Sequence, residues 1–461
     1  MNRHGLWSFV RVSGVAALGA CTPEAGPRDI LLTDTLVPES GEIIDCRGGS
    51  ILPATLASDN GGLSVPDTLI YLGTGVEGVR IENCTLDATF PIVALEGGFH
   101  EISHNNIDST GRSVMFVGSG HNLVDHNVMT TSGRNLMIIG DADFNVVSHN
   151  DLTFVPDRYA QEGSPGLAVP GEPDGVGLGT FSYPGVENVI VNGSLHQHAA
   201  YRDTHPDGTL VVENTIHNDS AGAGIIFATR SSHASAYRNT VTGGELGLAV
   251  FGYDDFSEFV EPGTCSGDPS MYCGANEDEE GSFVTCDLPG FEPRGTCEGL
   301  EVVTGGGRVV APTFVGNRVT GAYFGATAGF SDGFTIEGND LRDGVNGIEL
   351  WGYALDDGTV RGNVTSGNEV GLLISDGWPR SGPAGVDLSY NDFGDNLTPF
   401  DAQGRWTEDT PLPDNWWGSD PCGFPEDPEW WPNTYDPSPA AEPIAMAWRR
   451  DNEDEVPVCS N

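Results

Sequence analysis

Lysine is absent from the 461-residue chain: all 20 basic residues are arginine, against 67 acidic ones, for a formal net charge of −47. So negative a surface repels phosphate backbones and anionic lipid, which excludes nucleic acid or a bare membrane surface as partner. After the first twenty residues no apolar run is long enough to cross a bilayer as a helix. Helical periodicity is almost missing, and no Cys-x-x-Cys pair is present to anchor zinc. The chain does have 64 Gly and 30 Pro, a composition of short strands joined by turns. The acid fits a solvated surface suited to salty surroundings. Calcium held by loops such as Glu277-Asp278-Glu279-Glu280 is the alternative, although that run lacks the alternating spacing of a calcium loop.

Arg3 and Arg11 precede an apolar run from Val12 to Ala20, the length of a signal-peptide core. The run ends in Leu18-Gly19-Ala20-Cys21, which resembles the bacterial lipobox. The resemblance implies that residues 1–20 are removed and that Cys21 is lipidated. Residues 21–39 then form a tether, and the protein sits in the bacterial cell envelope, at the outer membrane or cell surface, attached only through lipid. Eight further cysteines, an even number, suit disulfides in an oxidising compartment. Cys422 and Cys459 are expected to pair within a C-terminal cap, 411–461. The connectivity of Cys265, Cys273, Cys286 and Cys297 stays open.

A six-residue frame recurs: apolar, any, any, Asn, any, apolar or small. It reads ISHNNI at 102–107, VDHNVM at 124–129, VSHNDL at 147–152, IEGNDL at 336–341, VRGNVT at 360–365 and LSYNDF at 388–393. It recurs around Asn214, Asn239 and Asn317, with Cys84 and Gly193 in the Asn position of two further copies. From Cys84 onward the intervals are 21 to 28 residues, apart from two of 43 and 78. About 22 residues is three short strands with turns, a unit that buries its apolar face only by stacking on its neighbours. The expectation is an all-β, right-handed parallel β-helix over 40–410, with insertions at 153–175 and 254–311. Eleven coils make a rod about 50 Å long at the strand spacing of ~4.8 Å. Stacked Asn side chains then bond from coil to coil in a ladder. Cys46 shares the apolar-x-x-Cys frame of Cys84; on adjacent rungs their Cα atoms fall about 5 Å apart, within the disulfide range.

This Asn column resembles the pectate-lyase-like superfamily of right-handed β-helices, and Asp414-Asn415-Trp416-Trp417-Gly418 is similar to the NWWG closing motif of secreted β-helix proteins. About ten residues past each Asn a second strand alternates: SVMFVG at 113–118, NLMIIG at 135–140, GLAVFG at 247–252 and GIELWG at 347–352. Met115, Val117, Met137, Ile139, Ala249, Phe251, Glu349 and Trp351 should face outward there. They form either a sugar-stacking surface, with Phe251 and Trp351 as platforms, or a face that the insertions cover.

One coil breaks the pattern, with Tyr201, Arg202, Asp203, His205 and Asp207 where its neighbours carry aliphatics. Both insertions should border this face, and a local failure of a regular pattern marks a candidate site. A solvated irregular turn is the plainer reading. Asp203-Thr204-His205-Pro206-Asp207 resembles in part the Asp-Pro-His-Asp of mannuronan C5-epimerases, with Pro206 displaced after the His. The resemblance implies Asp203, His205 and, as a third candidate, Asp207 as catalytic groups; apart from it, Tyr201 is a candidate substrate contact and Arg202 or Arg230 an alternative base. Polygalacturonase motifs are missing, and lyases with a lysine base are excluded. His104, His126 and His149 each precede a ladder Asn and should stack on one edge, either as metal ligands or as half-exposed turn residues. The resulting expectation is a monomeric, carbohydrate-active surface protein: a polysaccharide lyase, a C5-epimerase or a glycan binder, with calcium as the candidate cofactor. The alternative is a non-catalytic adhesin or spacer.

Overall fold

The computed structural model describes residues 26–32, 35–53, 68–131, 134–155, 190–193, 206–219, 222–228, 231–251, 274–278, 281–285, 309–329, 331–351, 355–375, 385–402 and 415–417. They wind into three long parallel sheets of twelve, eleven and eleven strands, which we call A, B and C in that order of description. One turn of chain runs from a three-residue strand in C (Leu123–Asp125) to a strand in A (Val128–Thr131) and then a strand in B (Arg134–Ile139). Each strand pairs in register with its counterpart one coil on, as Val124 does with Ile102 and Val147. The chain is a right-handed parallel β-helix. Among the described residues no helix is long and apolar enough to cross a membrane.

Alternation decides what lies inside. Val124, Met129, Leu136 and Ile138 point into one continuous core that runs along the coils and is 1% exposed or less at these positions. Each such side chain contributes on the order of 1.5–3 kcal/mol by leaving water.

The Asn ladder is as expected at its regular rungs. Asn105, Asn127, Asn150, Asn214, Asn239, Asn317, Asn339, Asn363 and Asn391 each donate from Nδ2 to the next Asn Oδ1 at 2.9–3.0 Å, ending on Asn415. The residue before each ladder Asn holds a left-handed backbone, with φ from 52° to 58° at His104, His126, His149, Glu213, Arg238 and Tyr390. That conformation turns the corner from C to A. Cys84 continues the column and bonds to Cys46, with 4.9 Å between Cα atoms. Cys46 itself sits in a longer first turn, four residues between strands against two on the next coil.

One expectation needs correction, and one pair of open readings is narrowed. Gly193 is not a rung: Ile190–Gly193 is a strand of sheet B, with Ile190 paired to Leu136 on one side and Ile225 on the other. Asn150 bonds directly to Asn214 across 64 residues. The frame IVNGSL mimics the repeat in its apolar spacing but lacks the amide that defines a rung. The strands bounding the excursions are therefore Asp151–Phe154 to Ile190–Gly193, and Leu246–Phe251 to Val309–Val310. The narrowing concerns the outer face of B, expected either as a sugar-stacking surface or as a covered one. Met115, Val117, Met137 and Ile139 do face away from the core, but they pack with Tyr71, Phe90, Val93 and Leu95 into a second buried cluster. Glu349 on the same face is also buried and accepts a bond from Thr327 Oγ1 at 2.9 Å. At these positions the face is closed to solvent.

A shorter amide column runs at the B-to-C corner, where His100 N donates to Asn122 Oδ1 and Asn122 N to Asn145 Oδ1, both at 2.9 Å. His100 ends it: its Nδ1 accepts from Val79 N, its Nε2 has no partner, and burial pushes its pKa down to about 4. The folded state therefore holds a neutral ring, while the unfolded chain takes a proton near pH 6.5. Stability is full above pH 6.5 and falls as pH drops from 6.5 to about 4, by about 3 kcal/mol in total. His100→Asn keeps an acceptor for Val79 without titrating. Denaturation at pH 7.5 and 4.5 should show the variant gaining on the wild type at the lower pH, and parallel profiles would refute this.

Candidate functional site

Sheet C is only three residues wide, so its two corners carry most of its exposed chemistry. At the B-to-C corner the residue six before each ladder Asn is left-handed: Phe99, His121, Phe144, Gly208 and His233 among them. Phe99, His121 and Phe144 stack face to face, with centroids 4.9 and 5.3 Å apart. Stacking covers both faces of His121 and the facing sides of the two phenylalanines, of which Phe99 is 61% exposed. The stack stops at Gly208, where a Cβ would come within 2.6 Å of the Phe144 ring.

Beside that gap stands Asp207. Its N–H donates to Asp143 Oδ1 at 2.9 Å, and its own Oδ1 accepts from Ser232 Oγ at 2.8 Å. The same oxygen meets His233 Nδ1 at 2.8 Å, and the His233 side chain is 65% exposed. A carboxylate on Nδ1 fixes the ring's orientation and leaves Nε2 as the nitrogen able to exchange a proton with a ligand. Tyr201, Arg202, Asp203, His205 and Arg230 lie outside the described residues, as do Cys21, Cys422 and Cys459. Phe251 and Trp351 end strands of sheet B, and their side chains are likewise outside the description. In sheet B, Ile190–Gly193 stands between Arg134–Ile139 and Ala223–Ala228, and Asp207 belongs to the corner beyond it.

The C-to-A corner carries a row of ionisable groups. His104, His126 and His149 line one edge as expected: His126 and His149 stack, with centroids 4.7 Å apart, and His104 lies 5.1 Å from His126 with its ring tilted by 36°. Asp125 Oδ2 meets His126 Nδ1 at 2.6 Å and its Oδ1 meets His149 Nδ1 at 3.0 Å. His149 Nε2 reaches Glu213 Oε2 at 2.9 Å, and Arg238 Nε donates to Glu213 Oε1 at 2.7 Å. Burial opposes ionisation of Asp125, but the Ser148 hydroxyl and the two rings outweigh it and hold the carboxyl below its ordinary value. The Asp125 carboxylate raises the His149 pKa, with Glu213 adding to it. Arg238, and then His149, hold Glu213 low.

Asp125, Asp143, Glu213, Ser232 and His233 escaped the sequence reading. His233 had a usable signal, since it lies six residues before Asn239 as His121 does before Asn127. Glu213 had none, because its His149 and Arg238 partners come from other coils, and of the partners of Asp125 only His126 lies beside it in the chain.

No protein-family model and no curated protein matches the chain. Among solved structures it is similar to the A-module of mannuronan C-5 epimerase AlgE6 from Azotobacter vinelandii, at 11% identity and a TM-score of 0.38 over 83% of this chain and 86% of that one. It is similar to the Dettilon tailspike protein, at 12% identity and a TM-score of 0.36, covering 81% of this chain but 59% of the tailspike. An alginate lyase from Paenibacillus sp. str. FPU-7 gives 11% identity and a TM-score of 0.33, over 79% and 94%. At such identities and scores the likeness carries no argument about the site.

Proposed function

We propose that the protein engages a polysaccharide at the B-to-C corner, as an exported rod anchored through Cys21. The observation that carries this reading is the Asp207–His233 pair, an oriented and solvent-facing imidazole. Asp203 and His205 lie within four residues of Asp207 in the chain. Proton abstraction next to a uronate carboxyl, as in a lyase or C5-epimerase, needs such a base and a cation to neutralise the acid. The charge of −47 opposes a polyanion. Calcium bridging, or a neutral glycan, relieves that conflict. One observation favours the spacer reading instead: the outer face of sheet B is closed at its aliphatic positions.

The test is a panel of uronate and neutral glycans, with and without calcium, followed by turnover and by calorimetric binding. It is run on Cys21→Ala, which should appear in the soluble fraction; retention in membranes contradicts the anchor. Saturable binding or turnover of at least one glycan is expected. No response to any of them hands the lead to the spacer.

A further inference from the structure

The opposite corner of sheet C presents a second arrangement that the glycan reading does not use. Asp125, His126 and His149 offer three ligand atoms that lie within 4.8 Å of one another, the one such group among the described residues. His126 and His149 occupy adjacent rungs with the same left-handed backbone, φ 54° and 53°, so their side chains leave the rod in parallel, with rings 4.7 Å apart and their planes 18° from parallel. Both turn Nδ1 toward one carboxylate, one ring to each oxygen, and Ser148 Oγ fixes that carboxylate at 2.5 Å.

A second feature points independently to a metal. The far nitrogen of His149 faces the Glu213 carboxylate, which Arg238 holds in place. A ligating imidazole almost always gives its other N–H to such an acceptor, which fixes the tautomer and makes the bound nitrogen more basic. The donor set then selects the ion. Two imidazoles and one carboxylate suit borderline metals such as zinc, whereas calcium and magnesium take oxygen donors throughout. With metal–ligand bonds of 2.0–2.2 Å, tetrahedral ligand atoms stand about 3.4 Å apart. The present contacts of 2.6 and 3.0 Å then open by about 0.8 and 0.4 Å, and the widest separation in the group, at most 4.8 Å, closes by up to about 1.4 Å.

We propose that Asp125, His126 and His149 bind a divalent transition-metal ion of the zinc type, with Glu213 as the positioning residue for His149. Three protein ligands leave a coordination position for an external one. The surrounding field of a chain at −47 favours the cation.

The test uses the full chain without an affinity tag, dialysed against zinc in a large excess of calcium that occupies generic acidic surface. One equivalent should be retained. His126→Asn and His149→Asn should each lower the affinity at least tenfold; asparagine tolerates the left-handed backbone, as Asn83 does in the same column with φ 57°. Glu213→Gln should keep the stoichiometry and weaken binding about 10–100-fold, the scale for losing an orienting partner. His121→Asn, on the other corner, should change nothing. Cobalt in place of zinc should give tetrahedral visible absorption that both ligand variants lose. Zinc not retained, or retained equally by all the variants, overturns the proposal whatever the glycan panel returns.

Discussion

Asn214→Ala is expected to cost about 3 kcal/mol or more, because several buried groups lose their partner at once. Asn214 Oδ1 accepts from both the backbone N–H and Nδ2 of Asn150, each at 2.9 Å. Its Nδ2 donates to Val147 O, Val212 O and Asn239 Oδ1. Alanine supplies none of these bonds, and no water reaches the site, which is 1% exposed. The denaturant midpoint should fall well below that of an outward substitution on the same coil, such as Thr215→Ala. The double variant with Asn150→Ala should be less destabilised than the sum, with a coupling of about 1–2 kcal/mol. Strict additivity would mean that the rungs flanking the 64-residue excursion are not in contact.

Gly347→Val should remove the soluble folded protein altogether. Gly224, Gly247, Gly325, Gly347 and Gly371 fall in one column where sheet B begins. A Cβ at 347 would lie 2.6 Å from Thr365 Cβ and 2.7 Å from the Gly371 carbonyl oxygen. Neither is the free end of a flexible chain, so the coil must deform, at a cost of about 3 kcal/mol or more for the branched residue. Space, not backbone conformation, demands glycine here. Gly338 gives the contrast: its φ is +63° and nothing lies within 4 Å of a Cβ built there. Gly338→Asn should cost little, since side chains already occupy that left-handed column at His104, Glu213 and Tyr390. Soluble yield and melting temperature separate the two, and a Gly347→Val protein that folds normally would contradict the packing described.

The winding was legible because its signal is periodic. One Asn per coil, each needing the next, survives the 78-residue interval before Asn317 without losing phase. The Cys46–Cys84 bond followed from the same frame, although the first turn is longer than that frame implies. Gly193 misled because apolar spacing alone does not distinguish a C-to-A corner from a strand of B. The outer face of B stayed open between two readings for a related reason: alternation says which side a residue faces and nothing about what lies over it. Met115 and Phe116 point to opposite sides, and both are fully buried. The corner clusters were harder still. His126 and His149 were visible as a column, but Asp125 reads as an ordinary turn acid until the left-handed backbones of His126 and, one coil on, His149 bring both rings to its carboxylate. Glu213 reaches His149 from 64 residues away.

That the B-to-C corner is where a glycan is engaged can be tested on two side chains. On the glycan that responds best, turnover and affinity are measured for wild type, Asp207→Asn and His233→Asn, the last chosen because Asn tolerates φ near 49°. Loss of a general base predicts a fall in kcat of about 10²-fold for His233→Asn. Asp207→Asn should follow in the same direction, with melting temperatures near that of the wild type. For a glycan that is bound without turnover, the same two variants should lose affinity. Full turnover and full affinity in both would contradict the account and place the glycan elsewhere on the rod.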